Sequence, residues 1–152
     1  MTIKNFVRIY PPKRLYRLFF LKLANLPMFP TKRAKWLKLG GVNVYGRCWI
    51  YRNVTIDSVA PDRIHIGNNV TITEGSKILT HYFDPGTPGR HFRIGDVVIE
   101  DEVFIGVGTV ICNSVTIGKG AVIGAGSIVT KDIPPYQVWA GAPAHYIKER
   151  TH

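Results

Sequence analysis

From Ile66 onward an aliphatic residue returns at every sixth position. The chain reads "IGNNVT", "ITEGSK" and "IL", breaks, and resumes as "IEDEVF", "IGVGTV", "ICNSVT", "IGKGAV", "IGAGSI" and "VTKDIP". The repeat starts are Ile66, Ile72, Ile78, Ile99, Ile105, Ile111, Ile117, Ile123 and Val129. Four residues after each complete start stands a small or medium side chain: Val70, Ser76, Val103, Thr109, Val115, Ala121, Ser127 and Ile133. A looser set precedes them at Val44, Ile50 and Ile56, with Cys48 and Val54 at the matching positions. This period excludes an amphipathic helix, whose repeat is about 3.6 residues, and β-branched residues dominate the starts. A six-residue unit is too short to pair with itself. Three units in succession make one triangular coil, and stacked coils form three parallel sheets whose aliphatic residues fill a narrow prism. Glycine at the second and fourth positions of "IGKGAV" and "IGAGSI" suits the corners. The expected fold class is an all-β solenoid, a parallel β-helix of hexapeptide repeats.

The first quarter of the chain follows another pattern. Pro11 and Pro12 precede "KRLYRLFFLKLAN", in which Leu15, Tyr16, Phe19, Phe20 and Leu23 form a wide apolar face opposite basic residues. That predicts a helix with proline in its first turn, where the missing N–H costs nothing. Pro27 and Pro30 end it. Thr31 is expected to cap a second short helix through Leu39, which Gly40 and Gly41 stop. The organisation read here is a basic helical segment over 1–41 and a β-helix domain over 42–152. Within that domain lie an excursion over 81–98 and a tail over 134–152 that finishes in a helix.

Charge sharpens this division. The net charge is +10, yet residues 1–40 hold ten Lys or Arg and no Asp or Glu, and the remainder is neutral. A nucleic-acid partner is therefore not implied by the basic balance. Residues 5–38 fit a cap on the domain, a peripheral contact with an anionic membrane or lipid-linked glycan, or both together. The most apolar stretch, "LYRLFFLKLANL", is short and carries Arg17 and Lys22, so a membrane span and a cleaved signal are not expected. Cys48 and Cys112 lack CxxC spacing and read as thiols in a reducing cytoplasm. The expected location is cytoplasmic, peripheral at the inner face of the membrane.

The repeats, with the stretch "VTIGKGAVIGAGSIVTKDIPPYQVWAGAPAHYIKER", resemble the hexapeptide-repeat acyltransferases, in particular galactoside, maltose and capsule-sugar O-acetyltransferases. The likeness runs from about Gly41 to Arg150. It implies a left-handed β-helix, where the general rule for parallel crossovers would give the right hand. It also implies a homotrimer with active sites between neighbouring prisms, acetyl-CoA as co-substrate and no metal. The activity implied is acetyl transfer to a sugar or glycan hydroxyl in bacterial surface-polysaccharide biosynthesis. Transfer to an amino sugar, free or nucleotide-linked, is the alternative.

The break in the rhythm, "ILTHYFDPGTPGRHF" over residues 78–92, carries the candidate chemistry. A hydroxyl is a poor nucleophile at neutral pH and needs a general base, for which histidine is suited. The family's catalytic histidine lies just ahead of an extended loop, and that role carries to His81, which follows an intact repeat start. His91 lies deeper in the loop as an auxiliary residue, His65 on a strand facing solvent, and His145 and His152 in the tail. The group that orients His81 is left open between a carboxylate and a backbone carbonyl; Asp84 is near in sequence. By the same resemblance an amide near Val107 lies beside the thioester, Ala125 contacts pantetheine, and Thr130 and Lys131 lie near the nucleotide. His145 and Lys148 stand where the family often has two basic residues, and His145 departs from that pattern. Asn53, Asp57 and Asp84 are the acceptor-side candidates. The fold also hosts γ-class carbonic anhydrases, but "IEDEVFIG" lacks the histidine pair that their zinc requires. A non-catalytic scaffold is the remaining reading.

Overall fold

The structure, a computed structural model, describes residues 12–84, 86–89 and 91–151. Pro11, the first residues of the 5–38 segment and His152 lie outside the described residues. The chain visits three parallel sheets in turn. The first coil is β1 (Asn43–Val44), β2 (Cys48–Ile50) and β3 (Thr55–Ile56). The second is β4 (Ile64–Ile66), β5 (Val70–Ile72) and β6 (Lys77–Ile78). A hairpin of β7 (His81–Phe83) and β8 (Phe92–Ile94) then leaves the body. The third coil is β9 (Val97–Ile99), β10 (Phe104–Ile105) and β11 (Val110–Ile111). The fourth is β12 (Val115–Ile117), β13 (Val122–Ile123) and β14 (Ile128–Val129). β15 (Gln137–Ala140) adds to the second sheet, and β16 (His145–Glu149) closes it.

Register follows the period. Phe104 pairs with Val122 and Val110 with Ile128, each eighteen residues on. Thr71 pairs with Phe104, thirty-three residues on, so the hairpin inserts fifteen residues without shifting a core position. Every repeat start from Ile66 to Val129 is buried, as is every residue four places after a complete start, from Val70 to Ile133. Each buried aliphatic side chain contributes about 2 kcal/mol relative to exposure. Ser76, Thr109 and Ser127 are buried at the turn from the second sheet to the third, where their hydroxyls donate to carbonyls of Gly106 and Gly124.

The two repeated glycines turn out to act differently. In six of the eight complete repeats the fourth-position residue adopts positive φ, as at Gly126 (φ +68) and, without glycine, at Asn69 (φ 59). At the second position the constraint is the neighbouring coil. A Cβ on Gly106 would lie 2.5 Å from the Ala125 backbone nitrogen.

Two helices, α1 (Pro12–Leu23) and α2 (Pro30–Leu39), cover the first coil. Leu21, Ala24, Ala34 and Leu37 join Val42, Val44, Cys48 and Ile50 in one core. Buried Arg33 donates to the carbonyls of Leu26 and Ile50, tying the helix connection to β2. α2 begins at Pro30 with Phe29 before it and no side-chain cap, so Thr31 sits in the first turn rather than capping it. Proline supplies the helical φ and has no N–H to satisfy.

The tail corrects an expectation. Residues 145–149 form a strand, not a helix, antiparallel to β15 with Ala140 opposite His145 and Val138 opposite Lys148. Gly141, at φ +101, turns the chain back. Five residues are too few to sustain a helix, while the outer edge of β15 offers a row of backbone partners.

Candidate active site

β6 ends at Ile78, and the next two residues lead out of the prism into β7. Ile56 lies opposite Ile78 on the coil below, and the Asp57 amide donates to the Ile78 carbonyl. This register sets Asp57 beneath the point where the hairpin departs. Oδ2 of Asp57 accepts from His81 Nδ1 at 2.6 Å, Thr80 Oγ1 at 2.6 Å, Thr80 N at 2.8 Å and His81 N at 3.1 Å. Oδ1 accepts from the Val59 amide at 2.8 Å. The Asp57 side chain is 2% exposed and that of His81 36%, so the carboxylate is sealed beneath an imidazole that reaches solvent. Burial alone would raise the Asp57 pKa. Bonds from the Thr80 hydroxyl, the Val59 amide, His81 and the Thr80 amide outweigh it and hold the group at about 2.

An ionised carboxylate only accepts hydrogen bonds, so the proton between Asp57 and Nδ1 belongs to the ring. In neutral His81 the Nε2 lone pair is then the basic position. Asp57, an acceptor-side candidate in the sequence, is the buried hydrogen-bond partner of His81. Asp84 is committed to the hairpin: it accepts from the Gly86 amide, the Thr87 hydroxyl and Arg93 Nε, the last at 2.8 Å. Thr87, Arg93 and the Gly86 amide hold its carboxyl below the usual range. The hairpin is further closed by bonds from Gly95 N to the Thr80 carbonyl and from Asp84 N to the His91 carbonyl. Paired positions in β7 and β8 give one face to His81, Phe83, Phe92 and Ile94, and the last three are exposed. The Phe92 ring lies 6.3 Å from the imidazole.

The remaining candidates divide between two edges of the third sheet. Val107 and Ala125 stand on the turns that enter it, one coil apart, with the Gly126 amide donating to the Val107 carbonyl. Both side chains are exposed. Asn53 lies on the same edge in the first coil, within reach of Glu74 at 3.4 Å. His145 follows the last turn of this edge, beside Gly141, and Lys148 lies farther along β16. Asp57, Thr130 and Lys131 stand on turns that leave the sheet, and His81 begins β7, which departs from the same edge. Lys131 Nζ lies 5.1 Å from the Trp139 ring centroid, a cation–π contact. One chain therefore sets His81 and the Val107–Ala125 ladder on opposite edges of the third sheet. His65 faces outward from β4 and stacks on Tyr45, whose hydroxyl is 2.9 Å from Nδ1. Both cysteines are free, and burial pushes their thiols up.

A family model described as bacterial transferase hexapeptide (six repeats) matches residues 96–131. A galactoside O-acetyltransferase of Lactococcus lactis is 38% identical over 111 residues, 71% of this chain and 54% of the relative. A 2,3,4,5-tetrahydropyridine-2,6-dicarboxylate N-acetyltransferase of Staphylococcus aureus is 40% identical over 85 residues, 56% of this chain and 33% of the relative. A solved galactoside acetyltransferase in complex with coenzyme A has a TM-score of 0.72 and 28% identity, covering 99% of this chain and 92% of that one. The chain spans about half the length of the curated relatives it matches.

Proposed function

We propose that this chain, whose residues 96–131 match the hexapeptide transferase repeats, moves the acetyl group of acetyl-CoA onto a sugar or glycan hydroxyl. The observation that carries this reading is the Asp57–His81 pair at the root of the hairpin. With its Nδ1 proton held by Asp57, His81 is set to accept the hydroxyl proton at Nε2 as the acceptor oxygen attacks the thioester carbon. Collapse of the tetrahedral intermediate breaks the C–S bond, and the imidazolium returns the proton to the departing thiolate. The products are the O-acetylated acceptor and free coenzyme A. A backbone amide near Val107 is the proposed donor to the oxyanion. Its side chain has no hydroxyl, so only the main chain can act there.

The same reading includes a left-handed winding of the coils and a trimer in which His81 of one subunit works against a neighbour's groove. Val107 and Ala125 would line that groove for pantetheine. Thr130, Lys131, His145 and Lys148 would line its nucleotide end. The separation of His81 from Val107 across the third sheet supports this arrangement, because a single chain leaves the pieces apart.

Acetyl-CoA-dependent thiol release, measured against sugars, nucleotide-sugars and lipid-linked glycans, tests the proposal. His81→Gln is expected to lose about 10²–10⁴-fold in turnover while keeping coenzyme binding. Near-normal turnover in that variant overturns the assignment. A second reading, transfer to the nitrogen of an amino sugar, draws on the N-acetyltransferase relative at 40% identity. Matched acceptors that differ only in hydroxyl against amine separate the two.

A further inference from the structure

Covering the first coil uses only part of the apolar surface of the helical segment. Leu21, Ala24, Ala34 and Leu37 are buried against the strands, whereas Leu15, Tyr16, Phe19, Leu26 and Phe29 are exposed. Leu15, Phe19 and Lys22 recur at steps of three or four, so they share one side of α1, turned away from Leu21, and exposed Leu26 follows in the turn after the helix. Phe19 is 58% exposed and Phe29 73%, values that a cap alone does not require. α2 presents Lys32, Lys35 and Lys38 at three-residue steps, all exposed. Lys32 Nζ lies 5.9 Å from the Phe29 ring centroid.

Charge says what this surface can meet. Residues 12–41 contain eight Lys or Arg and no acidic residue. Arg33 is buried and Arg17 pairs with Asp62, so the lysines make up most of the outward charge. A second copy docked face to face would bring like charge against like. A polynucleotide would answer the lysines but leave Leu15 and Leu26 in water. An anionic lipid surface meets both demands, since aromatic and leucine side chains enter the headgroup boundary while lysines face lipid phosphates. Among the described residues no helix is long and apolar enough to cross a membrane, so the contact lies along the surface.

We propose that the outer face of the α1–α2 cap docks the protein peripherally on anionic membrane. The geometry gives the contact a use. Asp57 belongs to the first coil and His81 leaves the second, so the pair lies near the capped end. One helix thickness and one or two coil spacings separate it from the lipid, about 20 Å in all. An acceptor glycan still attached to lipid would reach His81 from there; this last step, unlike the docking itself, rests on the acetyl-transfer reading.

Co-sedimentation of the full chain with phosphatidylglycerol-containing and pure phosphatidylcholine vesicles tests the docking. Binding is expected to the anionic vesicles alone at low salt, falling at least tenfold at 0.5 M salt, because surface charge is screened. Lys32→Ser with Lys35→Ser and Lys38→Ser should weaken it at least tenfold, and Phe19→Ser should also weaken it. Both sets lie on the exposed surface and leave thiol release with a water-soluble acceptor unchanged. Absence of binding to anionic vesicles at low salt overturns the proposal. So does self-association that Phe19→Ser abolishes without vesicle binding, or retention by single-stranded polynucleotide alone. Vesicle binding by a protein inert in thiol release would sustain the docking and remove the acetyl-transfer reading.

Discussion

At the residue scale, the carboxylate of Asp57 accepts five hydrogen bonds while almost wholly out of water. Such a group is stable only as an anion, and its proton affinity becomes a property of the whole fold. The unfolded chain protonates Asp57 near 3.8 and the folded chain near 2, so between these values the unfolded state binds more protons. The contribution of this residue is fully present above the higher value and is lost as pH falls through the lower one. Its size at neutral pH is about 2 kcal/mol. Urea unfolding at a fixed protein concentration should therefore show stability declining from pH 4 to pH 2. Asp57→Asn should lower stability at pH 7 and flatten that decline. An unaltered slope in the variant would mean that another carboxyl governs the acid limb. The sequence contains this pair without displaying it. Twenty-four residues separate Asp57 from His81, with no motif between them. Only the register of Ile56 on Ile78 joins them, and the four-residue surplus between the first two coils obscures that count.

At the scale of elements, the period predicts strands, corners and core because each repeat start faces inward and every coil repeats the same constraint. What it does not separate is why two glycines recur in one hexad. At Gly126 nothing lies within 4 Å of the place a methyl group would take, and the demand is the positive φ alone. At Gly106 the demand is space, since Cβ would sit 2.5 Å from one backbone atom and 2.8 Å from the next. Gly126→Ala should cost about 1 kcal/mol in denaturant unfolding, and Gly126→Asn less, since Asn69 already holds that conformation. Gly106→Ala should cost more, about 3 kcal/mol, because backbone of the next coil must move. Equal costs at the two sites would show that the coils are free to separate. The tail is hard to read for the opposite reason. "HYIKER" has no repeat to constrain it, and its strand is dictated by the open edge of β15 rather than by its own composition.

At the scale of the whole molecule, the distribution of candidate residues between two edges makes a claim about assembly. If His81 and the Val107–Ala125 ladder act on one thioester, they come from different chains. Two variants can separate this from a site within one chain. His81→Gln removes the base and leaves the groove, while Ala125→Trp fills the groove and leaves the base. Each alone should lose most turnover. In the proposed trimer, assembled from both variants, a site is intact when its base comes from one variant and its groove from the other. Random association in equal amounts makes that combination about one quarter of the interfaces. Co-refolding the two variants should thus restore about a quarter of the wild-type rate, whereas simple mixing of preformed trimers restores none. A site confined to one chain carries a defect in every subunit of the mixture. Thiol release that stays at the level of the single variants after co-refolding would therefore return the site to a single prism.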